Sequence, residues 1–136
     1  LRRLVEAHLS ARAAATVVTA VVDRPYGYGR IIRKHGRIAR IIEERDASPT
    51  ERQLHEINSG IYAFDLEPLF DALRSIASHN AQGEYYLTDL VGIYRRRKLP
   101  VETLVMKPTT APTSITPSRP RFTIPARSEI SSASVA

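Results

Sequence analysis

Four short segments of this 136-residue chain combine residue types suited to holding a polar ligand. Gly27-Tyr28-Gly29-Arg30 comes first. Glycine reaches positive φ and lets a ligand approach the main chain with no Cβ in the way. A plain tight turn uses the same residues, so the glycine pair alone leaves both readings open. It is not a dinucleotide fingerprint, because a third glycine and a following helix are missing. Glu43 closes the apolar run 38–42, with Glu44 and Asp46 just beyond it. A carboxylate there can accept hydrogen bonds from sugar hydroxyls or from an amide N–H. For Glu44 and Asp46 an exposed strand end is the simpler reading. Two close carboxylates also permit general acid–base chemistry, but no nucleophile or leaving group accompanies them. Asn58 enters a strand pattern and offers both donors and acceptors, which suits neutral hydroxyls. A turn residue ahead of a strand reads equally well. Residues 80–89, NAQGEYYLTD, form a dense string of hydrogen-bonding side chains with two flat aromatic rings for a sugar or base. A helix cap and packed rings explain parts of that string but not all of it.

Other chemistries find less support. His8, His35, His55 and His79 show no metal-ligand spacing and read as surface or packing residues. No Ser/His/Asp arrangement emerges from the order of residues. There is no cysteine, so a disulfide framework or thiolate metal site is excluded, which suits the cytoplasm. No apolar run approaches the roughly 20 residues a membrane span requires. The start of the chain carries Arg2, Arg3 and Glu6 among its apolar residues, unlike a secretory leader. It reads as a helix entered partway.

The elements that must position these groups follow from periodicity. Leu1, Leu4, Val5, His8 and Leu9 predict an amphipathic helix running to about residue 15. The β-branched run 16–22 predicts a strand buried on both faces, as in the middle of a parallel sheet. Its following glycine loop then lies at the carboxyl edge, where α/β sheets bind ligands. Residues 30–34 and 37–43 around His35-Gly36 predict a hairpin. Ser48-Pro49-Thr50-Glu51 predicts a capped helix start. A strand over 56–64 follows. Asp65 is expected to cap a helix whose apolar face is Leu66, Leu69, Phe70, Leu73 and Ile76. Leu87, Leu90, Val91 and Tyr94 give a further helical stripe, and 101–106 a last strand. This order indicates an α/β fold with a mixed sheet.

Net charge is +6. A basic protein invites a nucleic-acid reading, but the distribution argues against one. Residues 1–106 carry 16 Lys/Arg against 13 Asp/Glu, and half of the excess lies in the last 30 residues. The run Arg95-Arg96-Arg97-Lys98 falls at a helix end, where cations suit the dipole and solvent. Residues 107–136 hold 5 Pro, 6 Ser and 5 Thr without periodicity, and are expected to be a disordered tail. Residues 1–106 are the expected domain. Neither nucleic acid nor membrane is an expected partner.

Three segments, AAATVVTAVVDRPYGYGRIIR, RIIEERDASPTERQLHEINSGIYAFD and NAQGEYYLTDLVGIYRRRKLPV, occur in the order and spacing of one family. Over residues 1–105 the chain resembles the amino-terminal domain of bacterial bifunctional GlmU-type N-acetylglucosamine-1-phosphate uridyltransferases. The resemblance implies a Rossmann-like nucleotide-diphospho-sugar transferase fold, incomplete here, with a mixed sheet. It implies transfer of uridylate from UTP to N-acetylglucosamine 1-phosphate, giving UDP-N-acetylglucosamine, a peptidoglycan and lipopolysaccharide precursor. Substrate-binding roles carry over onto Gly29 through its main chain, Glu43 and Asn58, with Tyr86 and Thr88 lining the same pocket. None is a catalytic base or nucleophile, because the sugar phosphate brings its own attacking oxygen. The family's Mg²⁺ is implied, but its ligands, its nucleotide loop and its trimerising β-helix domain have no match in these residues. The expectation is a portion inactive alone, of undefined oligomeric state. The alternatives are a non-catalytic sugar-phosphate-binding module or another sugar-1-phosphate nucleotidyltransferase.

Overall fold

The computed structural model describes residues 1–77 and 79–107, together with the main chain of 123–124. The expected disorder over 107–136 therefore lies, apart from Lys107 and that two-residue segment, outside the described residues. The elements are α1 (Arg2–Ser10), β1 (Ala15–Val21), β2 (Arg30–Lys34), β3 (Arg37–Ile42), α2 (Pro49–Arg52), β4 (Glu56–Phe64), α3 (Leu66–Leu73), β5 (Tyr85–Tyr86), α4 (Asp89–Arg96), β6 (Val101–Met106) and β7 (Thr123–Ile124). Five strands form one mixed sheet in the order β3-β2-β4-β1-β6, and β5 pairs with β7 in a separate ribbon.

Strand β1 lies inside the sheet between β4 and β6, and both of its faces are covered over residues 15–19. Thr16 points toward α1, where its hydroxyl meets His8. Val17, one residue on, points the other way into the core with Leu90, Val91, Tyr94, Ile31 and Ile41. Its neighbours differ from a purely parallel setting: β1 runs antiparallel to β4 and parallel to β6. The first helix is shorter than its alanine-rich sequence suggests. Arg12 takes a left-handed φ of 49° and turns the chain, so that Ala15 begins β1. Ser48 makes the expected reciprocal cap with Glu51.

Asp65 departs from expectation. It occupies the position before α3 but makes no side-chain cap bond. Its carboxylate lies instead 2.9 Å from His8 Nε2, while His8 Nδ1 lies 2.9 Å from Thr16 Oγ1. This Thr–His–Asp chain was invisible in the sequence because its members lie on α1, β1 and the end of β4. Thr16 is fully buried in the sheet, so the chain joins α1 to the sheet and offers no surface hydroxyl for chemistry. The apolar face expected on α3 also divides. Leu69, Leu73 and Ile76 pack on the core, whereas Leu66 and Phe70 are exposed.

At the carboxyl end of β1 a polar network crosses four strands. Arg33 donates to both carboxylate oxygens of Glu56, at 2.7 and 2.6 Å, and to Thr103 Oγ1 at 3.1 Å. Thr19 Oγ1 donates to Glu56 Oε1 at 2.8 Å. The Arg33 guanidinium holds the Glu56 carboxyl below its ordinary value, against an opposing effect of burial. The stabilisation is therefore complete above the unfolded-chain value near about pH 4, and is lost as pH falls through the lower folded value. In urea unfolding at pH 7, Glu56→Gln should cost about 2 kcal/mol, the scale of a hydrogen bond to a charged group. The gap to the parent chain should narrow in acid. A gap independent of pH would contradict this reading.

Candidate functional site

The loop after β1 is anchored at its start by Val22, whose N–H donates to His55 O at 3.0 Å while its carbonyl lies 2.8 Å from His55 Nδ1. Gly27 has φ 86°, which allows the turn closed by Tyr28 N–H donating to Pro25 O at 3.1 Å. The chain then passes through Gly29 into β2. A Cβ at Gly29 would lie 3.1 Å from Ile41 Cγ2 and 3.2 Å from Glu43 Oε1, so the backbone approaches both side chains as closely as glycine permits.

Arg30 sets the frame. Its side chain is among the largest fully buried in the molecule. The guanidinium donates to the carbonyl of Tyr28 and, at 3.1 and 3.3 Å, to that of Arg52. Nη2 also lies 2.7 Å from Glu44 Oε2, an ion pair rather than an aligned hydrogen bond. Glu44 is thus not the exposed strand end its position suggested. Asp46 is not either: its Oδ1 accepts from Ala81 N–H at 2.7 Å and ties the 80–84 loop to the end of β3. Both tertiary roles were beyond sequence reading, because each partner lies far along the chain.

The expected ligand residues are brought together unequally. Thr88 Oγ1 donates to Glu43 Oε1 at 3.2 Å. A cavity of about 610 Å³ lies beside them between β3 and α4. Glu43, Tyr86 and Thr88 line it with Asp46, Asp89, Asn80 and apolar Ile41 and Ile93. Arg95 and Arg96, read from sequence as a solvated helix end, line it as well, with Lys34 and Arg40. Gly29 and Asn58 do not line this cavity. Gly29 backs onto Glu43, and Asn58 joins through the main chain, its N–H donating to Gly29 O at 2.9 Å. The Asn58 side chain is turned along its own strand: Oδ1 accepts from Gly60 N–H at 3.0 Å and Nδ2 donates to Tyr62 OH at 2.7 Å. A bulge in β4 opposite Val18 makes that turn possible, with Gly60 at φ 83° and Ser59 Oγ donating to Val18 O at 2.7 Å.

Burial raises the Tyr62 phenol well above its ordinary value, and the Glu43 carboxylate adds to this while Asn58 opposes it. The Tyr86 phenol is pushed up to about 12, by burial first and then by the carboxylates of Asp46, Glu84 and Glu43. Both rings are neutral hydrogen-bonding surfaces at physiological pH. The arrangement can therefore bind a polar, uncharged face through Glu43, Thr88 and Tyr86. Among the described residues, no cluster of three or more His, Cys, Asp or Glu is arranged to hold a metal ion. No helix among them is long and apolar enough to cross a membrane.

No family model matches the chain. A solved structure from Bacillus anthracis, named as a glucose-1-phosphate thymidylyltransferase in complex with a sucrose, superposes with a TM-score of 0.59 at 26% identity, over 77% of this chain and 40% of that one. The fold is thus that of a sugar-phosphate nucleotidyltransferase, a Rossmann-like α/β domain with a mixed sheet. Within that class the sequence is similar to bifunctional protein GlmU. The identity is 50% over 96 residues with the Streptococcus gordonii protein, and 46% over 108 residues with one from Streptococcus pyogenes serotype M12. These alignments take in 70% and 79% of the chain, and 21% and 26% of the relatives' length. Over the matched residues the chain is similar to part of a GlmU-type nucleotidyltransferase, and it spans about a quarter of these relatives' length.

Two substitutions separate the frame from the cavity wall. Glu44→Gln leaves the buried Arg30 without its carboxylate and should cost about 3 kcal/mol in urea unfolding at pH 7. A cost near zero would contradict the role given to this pair. Asp89 has its carboxyl raised by burial and by Asp46, with Arg96 opposing. Its folded value exceeds the unfolded one, so it withdraws stability as pH rises through that interval. Asp89→Asn should therefore be more stable than the parent at pH 7 by roughly 0.5 kcal/mol, the scale of a partly exposed charge contact. The difference should vanish in acid below both values, and a destabilised variant at pH 7 would refute it.

Proposed function

We propose that residues 23–89 form the sugar-phosphate side of a uridyltransferase domain, and that the ligand is N-acetylglucosamine 1-phosphate. The observation that carries this reading is the contact of Gly29, Glu43 and Thr88 beside a cavity walled by Tyr86. Glu43 accepts from a sugar hydroxyl or the acetamido N–H, Thr88 keeps the Glu43 carboxylate oriented, and Gly29 and Asn58 back Glu43 from behind the cavity wall. These residues bind and orient. The attacking oxygen belongs to the sugar phosphate, which requires no protein nucleophile. Magnesium is the charge-neutralising group such phosphoryl chemistry uses. Among the described residues no cluster of three or more His, Cys, Asp or Glu is arranged to hold it. A reaction on UTP belongs in the cytoplasm, and we assign the chain there.

Calorimetric titration of the folded 136-residue chain with N-acetylglucosamine 1-phosphate tests the reading. Binding heat is expected, and Glu43→Gln should weaken affinity at least about tenfold, the equivalent of a charged hydrogen bond. No heat from the folded parent chain would overturn the proposal. With UTP and Mg²⁺ added, this chain alone is expected to form no UDP-N-acetylglucosamine above background. Steady turnover would show that its own residues complete the catalytic site.

A further inference from the structure

The segment Tyr85–Tyr86 is extended, yet no strand of the main sheet pairs with it. Its ladder partner is Thr123–Ile124, antiparallel, with Tyr85 opposite Ile124 and Tyr86 opposite Thr123. An extended pair of residues has no stability of its own, and its backbone groups require partners. On the amino-terminal side the neighbouring loop is held by Asn80, whose Oδ1 accepts from Gln82 and Glu84 N–H at 3.1 and 3.2 Å. On the other side α4 begins at Asp89. Between these anchors, the ladder to residues 123–124 is the strand pairing that β5 makes.

That conformation matters to the cavity. Tyr86 is 8% exposed and forms the wall next to Glu43 and Thr88. Its hydroxyl is buried and has no hydrogen-bond partner among the described residues. Neither a hydroxyl bond nor the main sheet therefore fixes the ring. We propose that Thr123–Ile124 is a positioning strand for the candidate site: by pairing with Tyr85–Tyr86 it holds the Tyr86 ring as a wall of the ligand cavity. The part of the chain that composition sets apart as an appended tail thus contributes to the site without touching the ligand. The identity of the ligand rests on the reading above, whereas the docking of the strand does not.

The test uses the full chain with Thr123→Pro and Ile124→Pro together, since proline has no N–H to give the ladder. Amide hydrogen exchange is read at Tyr85 and Tyr86, with Val17 and Ile57 in the main sheet as controls. The expected result is exchange about tenfold or more faster at the two tyrosines and unchanged at the controls. A Thr123→Val, Ile124→Val chain, which keeps both N–H groups, should behave as the parent. Affinity for N-acetylglucosamine 1-phosphate should fall several-fold in the proline chain alone. Unchanged exchange at Tyr85 and Tyr86 overturns the docking. Equal acceleration at the controls overturns a local role. Faster local exchange with unaltered affinity overturns the positioning of Tyr86. If the parent chain binds no sugar phosphate, the functional reading falls, and the exchange result still decides whether the strand docks.

Discussion

A single buried cation organises the ligand-facing end of this fold. Arg30 carries its guanidinium into the interior, where a charge persists only if it is paired and hydrogen-bonded. The Glu44 carboxylate and the main-chain carbonyls of Tyr28 and Arg52 provide this. Each partner belongs to a different segment: the glycine loop, the end of β3, and the end of α2. Satisfying one guanidinium therefore fixes three segments against each other. Glu43 is the residue beside Glu44, and Gly29 the residue beside Arg30. The position of the candidate ligand groups follows from a charge that does not itself line the cavity.

From that frame the polar contacts spread outward in order. Gly29 sits against Glu43 because no Cβ intervenes, and Thr88 reaches Glu43 from the start of α4. Asp46 draws the 80–84 loop to the same strand end. The separate network of Arg33, Glu56, Thr19 and Thr103 ties β1, β2, β4 and β6 together below the loop. The sheet gives rigidity, and the loop and strand ends give chemistry, which is the usual division in α/β domains.

Much of this was legible in the residues, for local reasons. The limits of β4 and β6, the hairpin around His35-Gly36 and the reciprocal cap at Ser48 and Glu51 all follow from short-range pattern. What stayed hidden was the choice among distant partners. Asp65 has the right type and place for a helix cap, yet His8 claims its carboxylate. Glu44 looked like a solvated strand end until Arg30 was folded against it. Tyr85–Tyr86 has no alternation to mark it as a strand, because its partner lies far along the chain. Motif resemblance is what points to the candidate site, because the residue types alone leave each segment open to a plainer reading. Geometry adds a distinction absent from the sequence: Glu43, Tyr86 and Thr88 line the cavity, while Gly29 and Asn58 stand behind it.

Glu43, Tyr86 and Thr88, backed by Gly29 and Asn58, are proposed to form one sugar-phosphate site. Amide chemical shifts of the isotopically labelled chain, followed during addition of N-acetylglucosamine 1-phosphate, test it most directly. Saturable shifts are expected at Glu43, Tyr86 and Thr88 and at Gly29 and Asn58 behind them, with the main-sheet amides of Val17 and Thr103 unmoved. Shifts confined to the basic run Arg95-Arg96-Arg97-Lys98, or none at all in a folded chain, would contradict it.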